Sequence, residues 1–188
     1  MKKINLNYVG VLALILFALF SRIIPHMPNF TPVGAIALFG GAYLNNKYHA
    51  FLVPIISLWV SDIIINNFLL SLYSNFTWFY SGFVWQYSSF LLITFIGLKF
   101  LKRKSLKNIF LTTFCSSLLF FLITNFGVWF SGSMYPKTLN GLLTCYTAGL
   151  PFFKGTILGF AFYSTLLFGI FESLKYKKVI DYPINTHE

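Results

Sequence analysis

The stretch "KFLKRKSLKNIFLTTFCSSLLFFLITNF", Lys99 to Phe126, packs five cations into nine residues and then runs uncharged from Asn108 to Phe126. About 20 mostly apolar residues cross the roughly 30 Å hydrocarbon layer of a bilayer as one helix. Lys and Arg collect in the short loops that stay on the cytoplasmic side. The stretch therefore reads as a basic cytoplasmic loop feeding a membrane span, and the rest of the chain extends that reading.

The 188 residues are 57% hydrophobic, 21% aromatic and 10% charged, with 24 Phe and four acids. Soluble domains carry about 25% charged residues. This chain lacks the polar groups to cover its own surface, so lipid is its solvent. The net charge of +10 does not point to nucleic acid, because the cations sit in short clusters between apolar runs. The first apolar run follows Lys2 and Lys3 but leads into "LFSRIIPH" without a small-x-small cleavage site. It reads as a retained helix. Two cysteines, Cys115 and Cys145, define no disulfide framework.

Six spans are expected, at about 7–24, 31–44, 49–68, 83–101, 106–126 and 150–174. The second is short and rich in small residues. A long polar-aromatic connection separates the last two. No repeat or second domain is visible, so residues 1–188 form a single transmembrane domain. Assigned to alternating sides, the cations divide unevenly. Lys2, Lys3, Lys47, Lys99, Lys102, Arg103, Lys104, Lys107, Lys175, Lys177 and Lys178 fall on one side; Arg22, Lys137 and Lys154 fall on the other. Eleven against three puts both termini in the cytoplasm of a multi-pass membrane protein. The fold class is all-α, an integral membrane six-helix bundle.

This orientation sends "RIIPHMPNFTPVGAIALFGGA", Arg22 to Ala42, to the outer turn between the first two spans. Polar groups in hydrocarbon need partners or a water-filled cavity, and many gather near that face: Arg22, His26, Asn29, Thr31, Asp62, Asn66, Asn67, Gln86, Asn125, Trp129, Tyr135, Tyr146 and Lys154. Asp62 is the sole acid between Met1 and Phe171, and an Arg22–Asp62 pair is the expected arrangement. That pair is either a static brace between two spans or the lining of an outward pocket. The candidate ligand-binding set is Arg22, His26, Asn29, Asp62, Asn66, Asn125, Trp129, Tyr135 and Tyr146. His26, Asp62 and Cys145 lack zinc-site spacing, so no metal site is expected and the cofactor is left unassigned. The many aromatics fit an interfacial belt, though some could stack on a ligand. In the second span Gly34, Ala37 and Gly41 line one side and allow close helix approach. They are a candidate interface with neighbouring helices or with a partner.

There is no H-E-x-x-H, G-x-S-x-G or phosphate loop, so the chain is not expected to be an enzyme or to power transport itself. The Arg22–Ala42 stretch resembles the signature of a family of uncharacterised bacterial integral-membrane proteins, a domain of unknown function. "PIISLWVSD" (Pro54 to Asp62), "NFGVW" (Asn125 to Trp129), "MYPKTLNGLLTCY" (Met134 to Tyr146) and "AGLPFF" (Ala148 to Phe153) support it. That family is in turn similar to the S components of energy-coupling-factor transporters. The resemblance implies a vitamin-like small molecule taken from the outer face, in the bilayer, and an ATPase-driven energising module as partner. One departure is clear: S components often carry Ala-x-x-x-Ala in the first helix, whereas here Ala13 and Ala18 are five apart. The alternatives are a structural scaffold without ligand and, further off, a membrane enzyme using His26 and Asp62.

Overall fold

A computed structural model describes residues 8–44, 46–70 and 73–177. Lys2, Lys3 and Lys178, which contribute to the charge asymmetry, lie outside them. The described residues form six helices: α1 (Tyr8–Ile23), α2 (Val33–Tyr43), α3 (Lys47–Ile64), α4 (Phe83–Phe100), α5 (Leu106–Ser131) and α6 (Leu139–Tyr176). Among the described residues, four stretches are long and apolar enough to cross a membrane: Lys47–Leu69, Phe83–Phe100, Leu106–Ser131 and Leu139–Tyr176. The outer surface of the bundle is apolar, with Phe95, Phe110, Phe162 and Ile170 exposed, as a lipid-facing surface requires.

The helix starts follow from their capping residues. Asn46 accepts a hydrogen bond from the Tyr48 amide (2.9 Å), Ser105 from Asn108 (3.2 Å) and Thr138 from Gly141 (3.1 Å). Each satisfies an orphan amide of the first turn. Pro32 precedes α2 as its cap, where the missing N–H does no harm.

The core is organised around α2. This helix has 11 residues, and Val33 to Gly41 are all buried. At about 16 Å it is too short to cross the hydrocarbon, unlike the span expected over 31–44. It is held among α3, α4 and α6. The small residues decide this. A Cβ on Gly41 would strike the α4 backbone at Thr94 and Leu98, and one on Gly97 would strike the Leu38 carbonyl. A Cβ on Gly34 would overlap the Phe160 ring of α6. Gly34, Ala37 and Gly41 are thus enclosed by this chain's own helices. Of the two expected uses of these residues, contact with neighbouring helices is the one this packing fills.

Three further boundaries differ from expectation. Helix α5 continues past Phe126 to Ser131, and α6 begins at Leu139 and runs for 38 residues. Most of the expected long connection is therefore helix. The two helices form a tight hairpin, because Gly141 approaches the Pro136 carbonyl and Gly149 the Asn125 side chain closer than any side chain would permit. Helix α3 ends differently too. Residues Ile65–Leu69 wind as a π-helical turn, closed by the Leu70 amide on the Ile65 carbonyl (2.9 Å).

Candidate functional site

The connection from α1 to α2 holds the first half of the site. Asn29 takes a left-handed backbone (φ 62°), a conformation that Asn tolerates better than most residues. The Phe30 amide reaches the Met27 carbonyl at 3.0 Å. The turn rests on α6, where Gly155 meets the Pro28 carbonyl and Gly159 meets Phe30 and Thr31. Beyond that contact α6 continues towards Leu139 for about 24 Å, so the turn lies well below the tip of the α5–α6 hairpin.

Arg22, in the last turn of α1, reaches across to α3. Its Nη2 donates to Asp62 Oδ1 at 2.7 Å. Its Nη1 donates to the Leu58 carbonyl (3.2 Å) and to Ser61 Oγ. The other carboxylate oxygen, Asp62 Oδ2, accepts from the Tyr87 hydroxyl of α4 at 2.9 Å. Asp62 is 6% exposed. One buried carboxylate thus ties three helices, with both oxygens satisfied and its charge compensated by a charge-assisted bond. Three residues further on the π turn begins, and such turns recur where function bends a helix. Asn67 within the turn pins the α3–α4 connection: its amide donates to the Thr77 carbonyl (2.9 Å) and its oxygen accepts from the Thr77 amide (2.6 Å).

Beside this network is a cavity of about 160 Å³ lined by Arg22, His26, Asn29, Thr31, Gln86 and the apolar side chains Leu58, Ile65, Phe90, Phe120 and Phe160. His26 Nδ1 lies 2.9 Å from the Met27 carbonyl. Gln86 Oε1 accepts from the Tyr80 hydroxyl at 2.5 Å. Burial first, then the Asp62 charge, pushes the Tyr80 phenol well above its ordinary range, so it stays a neutral donor. Gln86 and Tyr80 also line a wider cavity of about 390 Å³ between the start of α4 and the end of α5. Gln86 lines both spaces, and Tyr80 lines the wider one.

The remaining candidates do not line the Arg22 cavity. Asn66 lies in the π turn and is half-buried. Asn125, Trp129 and Tyr146 belong to the α5–α6 seam. Asn125 donates to Phe121 of its own helix (2.8 Å), and the Tyr146 hydroxyl donates to the Leu122 carbonyl (2.8 Å). Trp129 donates to the Pro136 carbonyl at 2.9 Å, while Lys137 caps the last carbonyls of α5 at Trp129, Phe130 and Gly132. Half-buried Tyr135 sits in the hairpin turn. Cys145 is buried with its thiol against the Asn125 carbonyl (3.4 Å). These contacts hold the hairpin shut.

Gln86 and Thr31 are read from the sequence as lying near this face but outside the candidate set, and Tyr87 is one of the many aromatics that fit an interfacial belt. The period of α4 sets Tyr87 towards Asp62, but nothing in the local sequence names its partner. Ser61, next to Asp62 in "WVSD", gave only adjacency as a signal.

At the opposite end of the bundle Tyr43 donates to Glu172, which lies 3.6 Å from Lys175. Lys104 rests 5.0 Å from the centre of the Tyr43 ring. Burial lowers the Lys104 pKa, nearby Lys175 lowers it further, and Glu172 opposes both.

A bundle of long apolar helices with an apolar exterior and one compensated buried carboxylate beside a polar recess defines a multi-pass membrane protein. Residues 2–183 match the family of unknown function DUF6580, and the chain belongs to that family. No curated protein and no solved structure matches it.

Proposed function

We propose that this protein binds a small molecule in the recess beside Arg22, as a transport protein resembling the S components of energy-coupling-factor transporters. The observation that carries the reading is the cavity at Arg22, His26, Asn29 and Gln86: polar groups converge there over an aromatic floor, the common build of ligand sites. The charge asymmetry of the loops gives the orientation, with this recess outward and both termini cytoplasmic in a bacterial inner membrane. Arg22 commits three of its five N–H donors to Asp62, Ser61 and Leu58, so it orders the wall of the recess. The ligand is accordingly compact, hydrogen-bonding and flat enough to lie on Phe90 and Phe120. A vitamin-sized ligand requires the Tyr80–Gln86 pair to part and join the recess to the wider space beside it, because typical ligand sites exceed about 300 Å³. No catalytic role is assigned to His26 or Asp62. An energising ATPase module, if used, docks elsewhere than on Gly34, Ala37 and Gly41.

The scaffold reading has one observation in its favour: every oxygen of Asp62 is already satisfied within the protein. The experiment separates the two. The protein is purified in mild detergent, bound small molecules are identified by mass spectrometry, and the recovered compounds are tested for a shift in melting temperature. Binding predicts a retained compound whose stabilising shift disappears in Gln86→Leu and His26→Ala. No retained compound, or a shift indifferent to both changes, favours the scaffold.

A further inference from the structure

A separate cavity of about 380 Å³ lies between α5 and α6, at the Glu172 end of the bundle. Its walls are largely apolar, and two of its lining residues, Phe110 and Phe114, are also exposed on the outside of the bundle. One flank of the cavity is therefore part of the surface that faces lipid.

Two hydroxyls inside it are unusual. Thr113 Oγ1 and Ser164 Oγ have no hydrogen-bond partner among the described residues, and their residues are only 6% and 2% exposed. Other buried hydroxyls, such as those of Ser57, Thr94, Ser117 and Thr156, donate to carbonyls of their own helices, the usual way a hydroxyl is satisfied in hydrocarbon. A hydroxyl left unpaired in apolar surroundings is unfavourable, so these two point to an acceptor supplied from outside.

The mouth is charged. Lys104 and Glu172 line it, and Lys175 stands 3.6 Å from Glu172. The connection into α5 adds Lys102 and Arg103, with Lys107 in its first turn and no acid among them. The mouth is net positive even with Glu172 counted.

From this combination we propose that the α5–α6 cavity is a binding site for one anionic phospholipid. The phosphate meets Lys104 and its basic neighbours. The ester carbonyls accept from Thr113 and Ser164, and an acyl chain runs along Phe110 and Phe114. Basic pockets between transmembrane helices take acidic lipid headgroups in this way. The site is independent of the recess at Arg22.

The full chain, delipidated in detergent, is titrated with phosphatidylglycerol and with phosphatidylcholine of the same acyl chains, and bound lipid is counted by native mass spectrometry. One phosphatidylglycerol is expected to bind about tenfold tighter than phosphatidylcholine. Lys104→Gln should erase most of that preference. Thr113→Val with Ser164→Ala should weaken phosphatidylglycerol about thirtyfold, the loss of about two net hydrogen bonds. These last changes remove unpartnered hydroxyls, so the fold tolerates them, and circular dichroism checks that it does. Equal affinity for the two lipids, or phosphatidylglycerol binding unchanged in both variants, overturns the proposal.

Discussion

Removing either member of the Arg22–Asp62 pair strands the other in a nearly dry place. Arg22→Gln leaves a carboxylate with one donor, Tyr87, and Asp62→Asn leaves a guanidinium facing an amide. Each single change is expected to destabilise the protein by about 3 kcal/mol, the lower end of the range for broken buried pairs because the Arg22 side chain is 14% exposed. The double variant should recover part of that loss in thermal melts; strictly additive losses would mean that the two groups are not energetically coupled. Tyr87→Phe removes a single donor from Asp62 and should cost about 1 kcal/mol. The pair itself was legible in the sequence, because a lone acid in a run of apolar residues has few cations at its depth. The third partner was not. Tyr87 sits in an aromatic-rich stretch where any tyrosine resembles interfacial belt, and only the register of α4 against α3 selects it.

Among the helices, α2 and α4 meet backbone to backbone at Gly41 and Gly97. Gly41→Val inserts a branched side chain where α4 backbone already stands, so a loss of at least 2 kcal/mol is expected, in the range of overpacked cores. Gly169→Ala on α6 is the control: its Cβ would meet nothing within 4 Å, and the change should leave the melting temperature level or slightly raised. Indistinguishable melting of the two variants would show that the α2–α4 approach is not tight. The long apolar helices α3, α4 and α5 were readable from run length alone. The start of α6 was not, since "LNGLLTCYTAG" (139–149) has the glycines and polar residues of a loop. They serve the hairpin instead: Gly141 and Gly149 admit a carbonyl and an amide, and Thr144 and Thr147 return their hydroxyls to Asn140 and Leu143. Composition also made α2 look like a span, because burial inside protein and burial in lipid select the same apolar residues.

The whole molecule has two ends of different character, a recess braced by Asp62 and a basic rim around Glu172. If the loop charges orient it as proposed, a reporter fused after residue 177 is active in the cytoplasm, and one inserted in the turn near Ser133 is active outside. The same side for both would refute the alternation of spans. The 38 residues of α6 amount to about 57 Å of helix, far more than the roughly 30 Å hydrocarbon layer. Its first part, with the end of α5, therefore tilts or projects beyond the hydrocarbon above the recess. The shortness of α2 bears on how the chain is made. An 11-residue segment is below the length at which a translocating chain partitions sideways into lipid, about 17 residues at the least. Val33–Tyr43 should fail to insert when placed alone between soluble reporters, yet reach its final depth in the intact chain. Its entry must then await α3, α4 and α6, which makes seating this helix a late step in biogenesis, and the recess beside it a structure that exists only once assembly is finished.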